Sequence, residues 1–201
     1  MNAPIAAYLK KAEGWAARAR ASRFFAAGLA GGVLVALLDQ ASKLWILNGL
    51  KLPDLPNGHV EISQLFDLTY VRNYGASFGM LNGTPLAPVI LSLVAIGVTI
   101  ALIHWLPGAT RRLSVAGVAL IMGGALGNLL DRLRYGYVVD FLNFSGFPFP
   151  HLARTEGFPF VTLFNGGFVW VFNVADAAIN VGIALLIIDW LGLRKKAQEI
   201  A

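Results

Sequence analysis

From Leu86 to Leu106 the chain runs for 21 residues without one Asp, Glu, Lys or Arg. As a helix rising about 1.5 Å per residue, such a run reaches across a hydrocarbon core of roughly 30 Å, and Pro107 and Gly108 then end it. Three further runs have the same character: 24–50, where the stretch from Phe24 to Leu38 continues through Asp39 to Leu50; 113–130; and 172–191. The expected fold is therefore an all-α integral membrane protein with four transmembrane helices, in a single membrane-embedded domain over 1–201. Composition agrees, since 57% hydrophobic and 13% charged residues fit neither a soluble globule nor a disordered chain. The chain has no cysteine, which excludes a disulfide framework, a thiolate nucleophile and cysteine-ligated metal.

Ahead of the first span, residues 1–23 carry Lys10, Lys11, Arg18, Arg20 and Arg23, with Ile5, Tyr8, Leu9, Ala12, Trp15 and Ala16 at helical spacing on another face. This pattern predicts a basic amphipathic N-terminal helix at the membrane interface. A basic segment before an apolar run also resembles a secretory signal, but no clear cleavage site follows, and the run is expected to stay as the first span. His59 to Phe78 alternates imperfectly and predicts short strands, which backbone polarity would keep out of lipid as a small extracytoplasmic β-sheet. Asn143 to Gly167, rich in Gly, Phe and Pro, predicts an irregular loop.

The net charge of +5 raises the question of nucleic acid, but the basic residues sit at the termini and in one short loop beside apolar spans, so no nucleic-acid partner is expected. Five Lys/Arg in the N-terminal segment, Arg111 and Arg112 in the short loop, and Arg194, Lys195 and Lys196 in the tail mark one face. By the positive-inside rule that face is cytoplasmic and holds both termini. Asp39, Asp131, Asp140 and Asp176 then converge from separate stretches on the outer end of the spans.

Charge at that depth is costly unless paired, watered or functional. Two aspartates sharing a site hold one proton between them, so one can activate water while the other polarises a scissile carbonyl, without metal or cofactor. Asp140, after the third span, and Asp176, opening the fourth, suit such a pair. From spacing alone each could equally cap a helix or pair with an arginine. Asp39 and Lys43 lie four apart on one helix face, where an intrahelical ion pair with a structural or substrate-positioning role is the ordinary reading. Asn73 and Asn128 can donate and accept, which suits holding a peptide backbone or a carboxylate. Asn173 shares a helix face with Asp176. Asp131 and Arg132 are expected in a supporting polar network, with Arg132 able to grip a carboxylate with two N–H groups. Gly123, Gly124 and Gly127 read as packing residues. His59, His104 and His151 show no ligand spacing, so no metal site is expected. A transporter or proton channel is the alternative reading of intramembrane aspartates, but here the carboxylates gather at one face and no span is broken at its middle.

These blocks together resemble lipoprotein signal peptidase, the signal peptidase II family of the bacterial inner membrane. They are Asp39-Gln40-x-x-Lys43; Asn73-x-Gly75-x-x-Phe78-Gly79; Gly123-Gly124-x-x-Gly127-Asn128-x-x-Asp131-Arg132, with Val138-Val139-Asp140-Phe141; and Phe172-Asn173-x-Ala175-Asp176. The resemblance implies an aspartyl dyad of Asp140 and Asp176, with Asp39, Lys43, Asn73, Gly75, Asn128, Asp131, Arg132 and Asn173 as substrate-binding or supporting positions. It further implies cleavage of prolipoproteins on the amino side of a diacylglyceryl-modified cysteine, contact with membrane lipid, and sensitivity to globomycin-like cyclic peptides. Two departures stand out. The basic N-terminus is long, and 35 residues separate Asp140 from Asp176; the inserted stretch, Asn143 to Val169, is expected to form a lid or a membrane-facing flap.

Overall fold

A computed structural model describes residues 3–63, 66–75, 86–144 and 171–198, with side chains left out at 3, 4, 6–9 and 193–198. The helices are α1 (Ala3–Ala21), α2 (Phe25–Leu44), α3 (Ala87–Trp105), α4 (Arg112–Tyr135) and α5 (Val174–Gln198); the strands are β1 (His59–Glu61), β2 (Asp67–Asn73), β3 (Val138–Asn143) and β4 (Val171–Phe172). Among the described residues four helices are long and apolar enough to cross a membrane, as expected. Of these α4 is the most buried and α3 the least. Leu93 and Ile100 on α3, Leu37 on α2 and Ile188 on α5 are all more than half exposed, the outward apolar surface that lipid covers at no cost. The strands were expected from His59 to Phe78; β1 and β2 lie there, and Phe78 falls outside the described residues, as do 145–170 of the long insertion.

Three helix ends differ from the expected bounds for local reasons. Helix α2 stops at Leu44 and passes into a π-helical turn, Trp45–Gly49, closed by the Leu50 N–H on the Trp45 carbonyl at 2.8 Å. Helix α4 runs past the expected end at 130 to Tyr135 because the charge of Asp131 is neutralised within the protein. It ends at Gly136, whose φ of 78° is the left-handed conformation that closes a helix, with the Gly136 N–H on the Arg132 carbonyl at 3.0 Å. Helix α5 starts at Val174, not 172, since Val171 and Phe172 are taken up by a strand.

The residues divide into two compact units. The helical unit comprises the described residues within Met1–Leu38, Ser92–Leu130 and Ala175–Ala201. Its helices meet through small residues. A Cβ on Gly117 would lie 2.9 Å from the Gly182 carbonyl, one on Gly182 2.6 Å from the Gly117 carbonyl, and one on Gly124 would collide with the Ala175 carbonyl. Side chains there would force the helices apart, so glycine is what permits the contact. Leu106, Ala109, Val115 and Val118 form its apolar core, with Leu102 and Leu186 packed on them.

The second unit comprises the described residues within Asp39–Leu91 and Asp131–Val174. It holds an antiparallel sheet in the order β1-β2-β3-β4. Beneath it Ile46, Leu52, Leu68, Val139 and Phe141 form a buried cluster. In β3, Val139 and Phe141 both enter that cluster, so the pleat turns Asp140 to the opposite face.

Candidate active site

Asp140 owes its neighbours to an irregularity in β2. The β2–β3 register runs from Asp67 opposite Asn143 to Leu68 opposite Leu142 and resumes with Val71 opposite Asp140 and Asn73 opposite Val138. Three residues on β2 thus match two on β3, which is a β-bulge. Had the first register continued, Tyr70 would stand opposite Asp140 and Arg72 opposite Val138. The extra residue exchanges the faces and brings Asn73 to the carboxylate.

The contacts follow from that exchange. The Asn73 Nδ2 donates to Asp140 Oδ2 at 2.9 Å, and the Asn173 Nδ2 donates to Asp140 Oδ1 at 2.6 Å. The orientation of the Asn73 amide is fixed from its other end, where Oδ1 accepts the Gly75 N–H at 3.0 Å. Arg132 Nη2 donates in turn to the Gly75 carbonyl at 3.4 Å, fastening the turn that follows β2. Asp140 and Asn173 are 1% and 0% exposed, so each carboxylate oxygen of Asp140 is gripped in a dry setting.

Asp39, Lys43 and Asp131 form a second buried group in the same unit. Lys43 Nζ lies 2.8 Å from Asp39 Oδ2 and 2.9 Å from Asp131 Oδ2. The expected intrahelical pair is present, and it has a second carboxylate from the far end of the sequence. Gln40 Nε2 donates to Asp131 Oδ1 at 2.8 Å and to Asp39 Oδ2 at 3.2 Å, while the Val139 N–H donates to Asp131 Oδ2 at 3.0 Å. Asp131, from the last turns of α4, therefore holds the first residues of β3, next to Asp140. An ion pair this dry is stable only when its remaining donors and acceptors are satisfied, and Gln40 and the Val139 amide supply part of that. Gln40 is the residue that spacing alone undervalued; its signal was the position beside Asp39, one step off the ion-pair face.

In the helical unit, Asn128 Nδ2 donates to Asp176 Oδ1 at 2.8 Å, and Asp176 lies in the first turn of α5, where the helix dipole favours a carboxylate. Asp176 is partly exposed, in contrast to buried Asp140. The same unit contains a group that the sequence reading did not anticipate: Asp189 on α5, bound by Ser114 and Arg111.

The side chains that the bulge removes from the Asp140 face make a third arrangement. Arg72 lies over the rings of Tyr70 and Tyr137, at 5.9 and 5.4 Å from their centroids, and its Nε donates to the Tyr70 hydroxyl at 3.3 Å. The Tyr70 and Tyr137 hydroxyls are 3.1 Å apart. That hydrogen bond to Tyr70, followed by burial, pushes Tyr137 up to about 12, and hydrogen bonding to Tyr70 raises Arg72 further above its usual range.

The geometry defines a class, a protein with helices long and apolar enough to cross a membrane, in which some aspartates accept from asparagine amides and others are ion-paired to a buried lysine. The comparisons with known proteins give the family. The family model described as signal peptidase (SPase) II matches residues 32–192. The chain belongs to the signal peptidase II family. It is 44% identical over 154 residues to the lipoprotein signal peptidase of Caulobacter vibrioides, covering 76% of this chain and 79% of the relative. It is 39% identical over 168 residues to that of Rhodopseudomonas palustris, covering 82% and 91%. A solved bacterial membrane enzyme superposes with a TM-score of 0.65 at 25% identity, over 83% of this chain and 88% of that one. Helix α1 precedes the residues matched by the family model.

Proposed function

We propose that the chain is an intramembrane aspartyl endopeptidase that removes signal peptides from lipid-modified prolipoproteins, cutting on the amino side of the diacylglyceryl-cysteine, with Asp140 and Asp176 as the catalytic pair. One observation carries the choice of these two. Asp39 and Asp131 both lie against Lys43 Nζ and Asp189 lies against Arg111, and the amides of Asn73, Asn173 and Asn128 are aimed at the carboxylate oxygens of Asp140 and Asp176. An amide donor fixes the direction of a carboxylate oxygen, the orientation that a group taking and returning a proton needs. One aspartate accepts a proton from the attacking water. The other, protonated, donates to the scissile carbonyl, and as the tetrahedral intermediate collapses a proton passes to the leaving amine. Asp39, Lys43, Gly75, Asp131 and Arg132 position this machinery and the substrate backbone.

In this reading the enzyme sits in the bacterial inner membrane with both termini cytoplasmic and the aspartates near the outer face, the arrangement that the Lys/Arg distribution favours. By the same family analogy, globomycin-like cyclic peptides inhibit it. Helix α1 is the basic interfacial helix: Lys10, Lys11, Arg18 and Arg20 are exposed on it, and Trp15 stacks on His104 at the end of α3, with its Nε1 donating to the His104 carbonyl at 3.0 Å.

The test is the mass shift of a purified, lipidated prolipoprotein incubated with the detergent-solubilised enzyme. Cutting by the wild type, with loss of cutting in folded Asp140→Asn and in folded Asp176→Asn, supports the reading. Activity retained in either variant removes that residue from the pair, and no cutting by the wild type removes the function.

A further inference from the structure

Asp189 is a carboxylate that the proposed chemistry does not use, set within an apolar helix at 4% exposure. Its Oδ2 accepts a hydrogen bond from Ser114 Oγ, and its Oδ1 lies 2.9 Å from Arg111 Nη1, which also donates to the Asp189 backbone carbonyl at 3.2 Å. A charge in such a helix is expensive, and neither apolar packing nor span length requires one.

Its place along the α4–α5 pair gives it a use. Going down this pair, the contacts are Ser114 with Asp189, Gly117 with Gly182, Gly124 with Ala175, and Asn128 with Asp176. Polar ties stand at the two ends, about 20 Å apart at 1.5 Å per residue. Between them the glycines face backbone carbonyls and the apolar side chains of Leu186, Ile179 and Ile121. Such a seam allows close approach, but its contacts are non-directional and carry no polar tie that selects one axial position or rotation. Shifting α5 by one residue moves Asp176 by about 1.5 Å and turns it about 100° around the helix. The Asn128 bond would not survive that.

We infer that Asp189 is a positioning residue: gripped through both of its carboxylate oxygens by Ser114 and Arg111, it sets the axial register and rotation of α5 against α4, and thereby the meeting of Asp176 with Asn128. The inference rests on the reading of Asp176 as catalytic. A misplacement of about 1 Å at a reacting group can cost on the order of 100-fold in rate.

The experiment measures kcat and KM for the full-length enzyme on a lipidated prolipoprotein, per folded molecule, in Asp189→Leu, Asp189→Asn, Ser114→Ala, Asn128→Ala and the Asp189→Leu/Asn128→Ala double variant. Leu106→Ala, which loosens the apolar core from a residue outside α4 and α5, is the control for simple destabilisation. The expected result is a fall in kcat of about 10- to 100-fold in Asp189→Leu with KM nearly unchanged. Asp189→Asn, whose amide can still bond Ser114, should recover most of the loss, and Leu106→Ala should lower the melting temperature alone. In the double variant the two effects should fail to multiply, because both act through one hydrogen bond. A wild-type kcat in Asp189→Leu, or effects of Asp189→Leu and Asn128→Ala that multiply fully, overturns the inference. If Asp189→Leu does not fold, Ser114→Ala decides by the same criteria. If instead Asp176→Asn keeps its activity, the catalytic reading fails, whatever the Asp189 variants do.

Discussion

The two units of this protein solve the problem of polar groups in an apolar chain in opposite ways. The helical unit brings few of them inside and joins its helices by removing side chains, with Gly117, Gly124 and Gly182 as the points of approach. The strand-bearing unit buries Asp39, Lys43, Asp131, Asp140 and Asn173 together and answers each with a named donor or acceptor. The difference teaches what each tolerates: volume is the sensitive quantity in one, and the completeness of pairing in the other.

The largest effect should come from breaking the pairing. Lys43→Met leaves Asp39 and Asp131 buried with their cation gone, and removal of one partner from such a group costs about 3–5 kcal/mol. Thermal unfolding in detergent should show a large fall in the melting temperature or no folded protein, while Lys43→Arg should fold better than Lys43→Met. Next comes volume. Gly182→Val drives side-chain atoms into the Gly117 carbonyl, where even a Cβ would stand at 2.6 Å, and overpacking of this kind costs about 1–3 kcal/mol. The same valine at Gly97, where a Cβ meets nothing within 4 Å, should leave the melting temperature nearly unchanged. If the two valine variants unfold alike, volume is not what distinguishes the helical unit.

A subtler test separates pairing from charge. Asn73→Ala takes one amide from Asp140 and leaves a buried carboxylate oxygen short of a donor, a loss of about 1–3 kcal/mol. Cleavage should fall more steeply than stability, read as kcat against melting temperature. The smallest effect is expected at high pH. Tyr137 titrates at about 12 in the folded protein, above its ordinary value of 10.0. A group whose proton is held more tightly when folded contributes stability that is complete below pH 10 and is lost as the pH rises towards about 12. Melting temperatures from pH 9 to pH 12 should decline over that window in the wild type and decline less in Tyr137→Phe.

Much of this was legible from residue order because the bilayer imposes one strong rule, that a span must be long and apolar. Leu86–Leu106 announced α3 almost to the residue, and the short strands after His59 followed from alternation and exclusion from lipid. Other features depend on contacts that no local pattern holds. Strand β3 was not anticipated, because Val138–Asn143 pairs with residues some 70 positions earlier and alternates only once the sheet exists. The end of α4 was set too early since Asp131 and Arg132 look like a stop, when Lys43 in fact removes the cost of continuing. The ion pair of Asp39 with Lys43 could be read from spacing; its second carboxylate could not. Asp189 was passed over because a lone aspartate near the end of a span has no sequence partner, its ties being to Ser114 on the preceding helix and to Arg111 just before that helix.

The bulge in β2 carries a consequence for how this strand can change. Whether an amide or a guanidinium stands beside Asp140 is decided by parity, the odd or even count of residues between Leu68 and the carboxylate's partner. Composition has no part in that choice. An insertion of one residue just after Val71 would preserve every polar residue of the motif and still move Arg72 opposite Val138, so beyond the bulge the strand is far more open to substitution than to a gain in length.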